Sequence, residues 1–152
     1  MSTAAPLPHF GCTCARLRKL ARRLTRIYDA HLSTQGIKVT QYSLLANAAR
    51  GERALSEFAA ELDLDRTTLS RNLAPLAAQD WVSVSIGADP RSRMISITAA
   101  GRRKLKAALP LWRRAQHEVE STLGNAFVGK LHREIDHALG TLSSEISRKR
   151  AA

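Results

Sequence analysis

Acidic residues are scarce: 13 stand against 24 lysines and arginines, which leaves a formal charge of +11. An excess of that size implies a polyanionic partner, either nucleic acid or an anionic membrane surface, and does not by itself choose between them. Long apolar runs are missing too. None approaches the roughly 18 residues that cross a bilayer, so a membrane could be met only at its surface. Two cysteines, Cys12 and Cys14, are too few and too close together for a disulfide framework, which fits a reduced, cytoplasmic setting. The opening MSTAAPLPHFG lacks the basic start and apolar stretch of a secretory signal and reads as a disordered lead-in over residues 1–11. Enzyme signatures are also lacking: no phosphate-cradling glycine loop, no paired carboxylates, no Ser–His or Cys–His pairing, and no feature that calls for a cofactor.

What is present is periodicity. Leu17, Leu20, Leu24, Ile27, Tyr28 and Leu32 recur at three- and four-residue steps, which predicts an amphipathic helix from Cys12 to about Thr34, ended by Gly36. Thr40 can cap a second helix to about Arg50, and Ser56 a short third one carrying Phe58, Ala59 and Leu62. Asp65 can cap a fourth, Arg66 to about Gln79. WVSVSI and MISIT then alternate with period two, putting Val82, Val84 and Ile86 opposite Ile95 and Ile97 across a turn that holds Gly87, Asp89 and Pro90. Thr98 can cap a fifth helix to about Leu123, in which Pro110 predicts a kink or break. Gly124 separates it from a last helix with Leu131, Ile135, Leu139, Leu142 and Ile146, and the closing residues 149–152 read as a frayed tail. The fold class is therefore mainly α with a small β-hairpin wing: a winged helix-turn-helix between N- and C-terminal helical arms.

The fourth helix carries the clearest chemistry. Leu69, Leu73 and Leu76 fall in one narrow sector, while Thr67, Ser70, Arg71 and Ala74 lie opposite, with Thr68 at the flank. Hydroxyls, one arginine and small residues suit a major groove, where Arg grips guanine and Thr or Ser reads base edges. A solvated helix face is the plainer reading, but such faces mix both charge signs, and no Asp or Glu occurs between Arg66 and Gln79. Arg66, in the first turn, can reach a phosphate.

The stretches DRTTLSRNL (65–73), DPRSR (89–93) with ISITAAG after it, and VTQYSLL (39–45) resemble the MarR family of transcriptional regulators, over about residues 12–148. That resemblance implies one domain, with 12–35 and 99–148 as dimerisation helices and 36–98 as the winged helix-turn-helix. It also implies that Arg91 enters a minor groove, that Asp89 orients its guanidinium and that Arg93 holds phosphate. The candidate DNA-contacting set is thus Ser56, Arg66, Thr67, Thr68, Ser70, Arg71, Asp89, Arg91 and Arg93. A sequence-specific repressor acting as a homodimer on a pseudo-palindrome in double-stranded DNA follows. A non-specific or architectural binder is the alternative, told apart by competition with random DNA.

The near-heptad spacing of Leu131, Ile135, Leu139, Leu142 and Ile146, with Leu17, Leu20 and Leu24 on the first helix, suits a helix–helix seam between subunits; packing within one chain is the other reading. Six basic residues from Arg16 to Arg26 form a solvated face or attract a small anionic or phenolic effector. That first helix resembles a membrane-surface helix only superficially, since its apolar face suits another helix better. Cys12 and Cys14 can be incidental or redox-sensing. In the organic-hydroperoxide-sensing branch of the family a reactive Cys occupies this region, and Cys14, Tyr28 and Gln41-Tyr42 are similarly spaced, although Arg18 stands where a second aromatic is expected. A metal site is poorly supported, because His9 has no ligand cluster to join and His132 and His137 do not share a helical face.

Overall fold

The computed structural model describes residues 11–151. The expected lead-in lies outside them except for Gly11, as do His9 and Ala152. Helix α1 (Thr13–Leu32) runs into a 3-10 turn at Ser33–Gln35, and Gly36 ends it at φ +61, a left-handed conformation that costs glycine little. Then follow α2 (Val39–Ala48), β1 (Arg53–Ala54), α3 (Leu55–Glu61), α4 (Arg66–Ala78), β2 (Val82–Ile86), β3 (Arg93–Ile97), α5 (Ala99–Leu123) and α6 (Asn125–Ala151).

Two caps depart from expectation. Thr40 does not begin α2: Lys38 is its N-cap, and the Val39 amide donates to the Asp29 carboxylate on α1 at 2.7 Å. Ser56 likewise lies inside α3. Ala54 is the N-cap, and its amide donates to the Glu57 carboxylate, which reaches back from the helix at 3.3 Å. In both cases an acid reaching the first free amides sets an earlier start than a hydroxyl alone suggests. Asp65 and Thr98 do cap α4 and α5, accepting from the Thr68 and Gly101 amides at 2.8 and 2.9 Å.

Strand β1 is unforeseen, since two residues are too short for a periodic signal. It pairs antiparallel with β3, Arg53 opposite Ile95, making a sheet in the order β1-β3-β2. Arg53 also ties α2 to α3: its guanidinium donates to the Asn47 carbonyl, pairs with Glu61 at 2.5 Å and lies 4.8 Å from the Phe58 ring centroid. The hairpin register is as the alternation predicts, Val82 facing Ile97 and Val84 facing Ile95. Yet only Val82 of the β2 set is buried; Val84 is 48% exposed and Ile86 67%, because the wing extends past the edge of the core. Pro110 does not break α5, which is continuous to Leu123. Helix α6 continues to Ala151, into the stretch expected to fray.

The core joins Leu32, Ile37 and Leu45 to Phe58, to the inward sector Leu69, Leu73 and Leu76 of α4, and to Ile95 of the sheet. Above it, Tyr42 stacks on Trp112 at 5.9 Å between ring centroids, and Tyr28 meets the same indole at 6.3 Å. The Tyr28 hydroxyl donates to Gln116, and His31 bonds Glu118 at 2.6 Å, so polar contacts fasten α1 to α5 beside the rings. Helices α1 and α2 are held against α5 through this junction. Leu17, Leu123, Phe127, Leu139, Leu142 and Ile146 remain exposed on the arms, while Leu20, Leu24, Leu131 and Ile135 are partly covered.

Candidate nucleic-acid interface

Helix α4 turns its three buried leucines inward and leaves Arg66, Thr67, Ser70, Arg71 and Ala74 exposed, as the projection of its sequence requires. Thr68 is different. Its amide and hydroxyl both donate to the Asp65 carboxylate, the hydroxyl at 2.6 Å, so it holds the cap instead of presenting a free side chain.

These two bonds, the hydroxyl's first, hold the Asp65 carboxyl below the usual carboxylate range. A depressed folded pKa contributes stability above the unfolded value, and that contribution is lost as pH falls through the folded one. Asp65→Ala should therefore lower the melting temperature at neutral pH by a few degrees, while Asp65→Asn, still a good cap, retains most of it. In melts taken from pH 7 down to acid, the gap between wild type and Asp65→Ala should close; a gap constant with pH would mean that the carboxylate is not the stabilising species.

The wing turn is built by Asp89. Its carboxylate accepts the Arg91 backbone amide at 2.9 Å, and its carbonyl accepts the Ser92 amide and hydroxyl at 2.9 and 3.0 Å. Asp89 thus orients the backbone of Arg91, because a short acid two residues upstream reaches its amide. The Arg91 side chain is exposed and has no ion pair among the described residues. Arg93 donates to the Pro90 carbonyl at 3.1 Å and so braces the turn as well.

The tertiary fold brings most of the sequence-predicted residues to one place. A concavity of about 460 Å³ between wing and helix-turn-helix is lined by Ser56, Arg66, Asp89, Arg91, Ser92 and Arg93. Arg66 of α4 and Arg91 and Arg93 of the wing thus line one hollow with a single acidic residue, whose carboxylate accepts the Arg91 backbone amide. Thr67, Ser70 and Arg71 do not line it and instead continue the surface along α4.

The cysteine grouping is not assembled within the chain. Cys14 and Tyr28 are fourteen residues apart on one helix, about 21 Å at 1.5 Å per residue. Both cysteines are exposed, and Cys12 is the N-cap of α1, its sulfur accepting the Ala15 amide at 3.4 Å. No group of three potential metal ligands occurs among the described residues, and no helix there is long and apolar enough to cross a membrane.

Sequence reasoning also missed a smaller hollow between α2 and α5, about 340 Å³, where Tyr42, Ala46, Leu105 and Leu109 form apolar walls beside Arg102 and Lys106. No sequence motif marks it, because its residues come from two helices far apart in the chain.

No protein-family profile matches the chain, and neither does any curated protein. Solved structures do. The M. tuberculosis transcriptional regulator MosR in complex with DNA is 38% identical, with 88% of this chain and 96% of that one covered, at a TM-score of 0.78. A mutant MarR from E. coli complexed with operator DNA reaches the same TM-score at 18% identity, covering 90% and 99%. A MarR-family regulator from Rhodococcus sp. RHA1 aligns at 19% identity and TM-score 0.69, covering 78% and 86%. These neighbours are transcriptional regulators, in line with the absence of enzyme signatures. The identity to MosR over almost its full length, together with the winged-helix architecture, makes this chain a member of the MarR family of transcriptional regulators.

Proposed function

We propose that this protein is a cytoplasmic, sequence-specific DNA-binding repressor, acting as a homodimer on a pseudo-palindromic operator. The observation that carries the reading is the continuity of an acid-free α4 face with the arginine-lined concavity under the wing. Helix α4 would lie in the major groove, with Arg71 and Ser70 toward base edges, while Arg91 reaches the adjoining minor groove. The two heads of a dimer then meet half-sites about one helical turn apart. In support of a dimer, the arms leave Leu17, Phe127, Leu139, Leu142 and Ile146 more than a third exposed, large apolar side chains that a second copy would cover.

Modulation has two candidate inputs. The hollow walled by Tyr42, Leu105 and Leu109 and flanked by Arg102 and Lys106 suits a small aromatic anion, and it adjoins the Tyr42–Trp112 stack that joins head to arms. Cys12 and Cys14, exposed at the start of α1, suit an oxidant, with any tyrosine partner supplied from outside their own helix.

Sequencing the DNA that the purified protein selects from a random pool, with and without mild peroxide, tests these statements together. The expected result is a two-fold symmetric sequence recovered against excess competitor and weakened recovery after oxidation, with sedimentation giving a dimer. A pool without preference would leave a non-specific binder. Recovery unaffected by peroxide, with no modified cysteine by mass spectrometry, would remove the redox input.

A further inference from the structure

The segment that runs from α2 to β3 is entered after Gln35 and left at Ile97, and both ends meet the first turns of α5. At the exit, the Thr98 hydroxyl donates to the Asp80 carbonyl at 2.5 Å. The Thr98 amide donates to the Trp81 carbonyl at 3.1 Å, and the Trp81 amide donates to the Leu76 carbonyl of α4 at 2.8 Å. Trp81 is therefore a node between the end of α4 and the start of the wing. At the entrance, the Lys104 ammonium donates to the Gln35 carbonyl at 2.9 Å. The same nitrogen lies 5.1 Å from the centroid of the Trp81 ring. Lys104 stands three residues beyond Gly101, on the same side of α5, and has no carboxylate partner among the described residues. A carbonyl at the end of a helical turn and the face of an indole both hold a positive charge, and an apolar side chain of similar length satisfies neither.

We propose that Lys104 is a positioning residue for DNA binding: its ammonium clasps the Gln35 turn to Trp81 at the wing base and so fixes the direction in which the wing carries Arg91. Lys104 touches no DNA in this arrangement and acts through Trp81. The wing depends on its base because it extends past the core, with Val82 buried and Val84 and Ile86 largely exposed. A five-residue strand is about 17 Å long, so a tilt of about 10° at its base moves the tip by about 3 Å. Such a shift is as long as a hydrogen bond and takes a cation out of its contact. This inference rests on the wing contact of Arg91 proposed above, and the experiment separates the two.

The full-length protein and its Lys104→Met and Lys104→Arg variants, each with and without Arg91→Ala, are titrated over a range of salt against the duplex that wild type selects. Lys104→Met should weaken binding about fivefold, and the loss caused by Arg91→Ala should shrink by about the same factor in that background, since a misplaced cation has less left to lose. Lys104→Arg should restore both, because a guanidinium also donates to a carbonyl and lies over a ring. Amide exchange over residues 82–97 should quicken in Lys104→Met and return to wild-type rates in Lys104→Arg. Should Lys104→Met not fold, Lys104→Gln, which is neutral and can still donate to a carbonyl, replaces it in the same cycle. A lower urea midpoint with an equal Arg91→Ala loss in both backgrounds would make Lys104 a residue of stability alone and overturn the proposal. A salt slope lowered equally with and without Arg91 would make Lys104 itself a phosphate contact and overturn it too. If Arg91→Ala costs nothing in the wild-type background, the wing contact itself fails and this inference goes with it.

Discussion

Arg91→Ala is expected to weaken binding to the selected duplex by roughly 1–3 kcal/mol, about 5- to 150-fold, and to reduce the salt slope. The physical basis lies in the turn. Asp89 fixes the Arg91 backbone through the amide, while the guanidinium stays exposed with no carboxylate to satisfy it. A cation held at the tip of a short hairpin loses little conformational freedom of the backbone on binding, and a narrow, A·T-rich minor groove concentrates the negative potential that attracts it. Because Asp89 acts on the backbone, Asp89→Ala should also weaken binding, by loosening the tip, and should do so less than loss of the charge. Arg71→Ala provides the contrast: it should relax sequence preference more than it lowers non-specific affinity. Fluorescence titration of these variants across salt concentrations measures all three effects, and an Arg91→Ala protein with wild-type affinity would remove the wing from the interface.

The second large effect concerns stability and falls on Gly101, in the first turn of α5. A Cβ built there would lie 2.0 Å from the Trp81 carbonyl oxygen and 2.8 Å from Ile97 Cγ1. The carbonyl cannot turn away, since it accepts the Thr98 amide at 3.1 Å, and the Trp81 amide in turn donates to Leu76 at 2.8 Å. Gly101→Ala must therefore push α5 off the base of the wing. Overpacking of this kind costs about 1–3 kcal/mol, and the better helix propensity of alanine returns about 1 kcal/mol; a Cβ this close to a fixed carbonyl belongs at the upper end, so a net loss of up to about 2 kcal/mol is expected. Urea denaturation should show a lower midpoint at unchanged slope. Gly129→Ala serves as the control: its nearest neighbour is the end of the Arg133 side chain at 3.6 Å, so that variant should be neutral or slightly more stable. Equal midpoints for Gly101→Ala and wild type would mean that the close approach of α5 to the sheet is wrong.

The glycine also illustrates what a sequence conceals. The TAAG after the second wing strand is visible as a motif, and Thr98 reads correctly as a cap, but the need for glycine comes from a carbonyl twenty residues upstream. The same holds for Arg53. It is one basic residue among many in the sequence, and it becomes a three-way tie only when strand pairing sets it against Phe58, Glu61 and the Asn47 carbonyl. The misplaced starts of α2 and α3 have a related cause. Propensity identifies residues able to cap, whereas the actual start depends on which acid reaches the first free amide, and for α2 that acid, Asp29, comes from another helix.

By itself the sequence determined the properties that repeat along the chain: the six helices from their apolar period, the hairpin from its alternation, the inward leucines and acid-free outer face of α4, and the excess of positive charge. Those follow from local geometry and from side-chain chemistry that needs no neighbour. Only the tertiary structure decided that Arg66 and the wing arginines share one concavity, that Asp89 holds an amide, that Lys104 lies between the Gln35 carbonyl and the Trp81 ring, and that Cys14 lies far from Tyr28 within its own helix. Each of these is a distance between groups set by how elements pack, and no local pattern encodes such a distance.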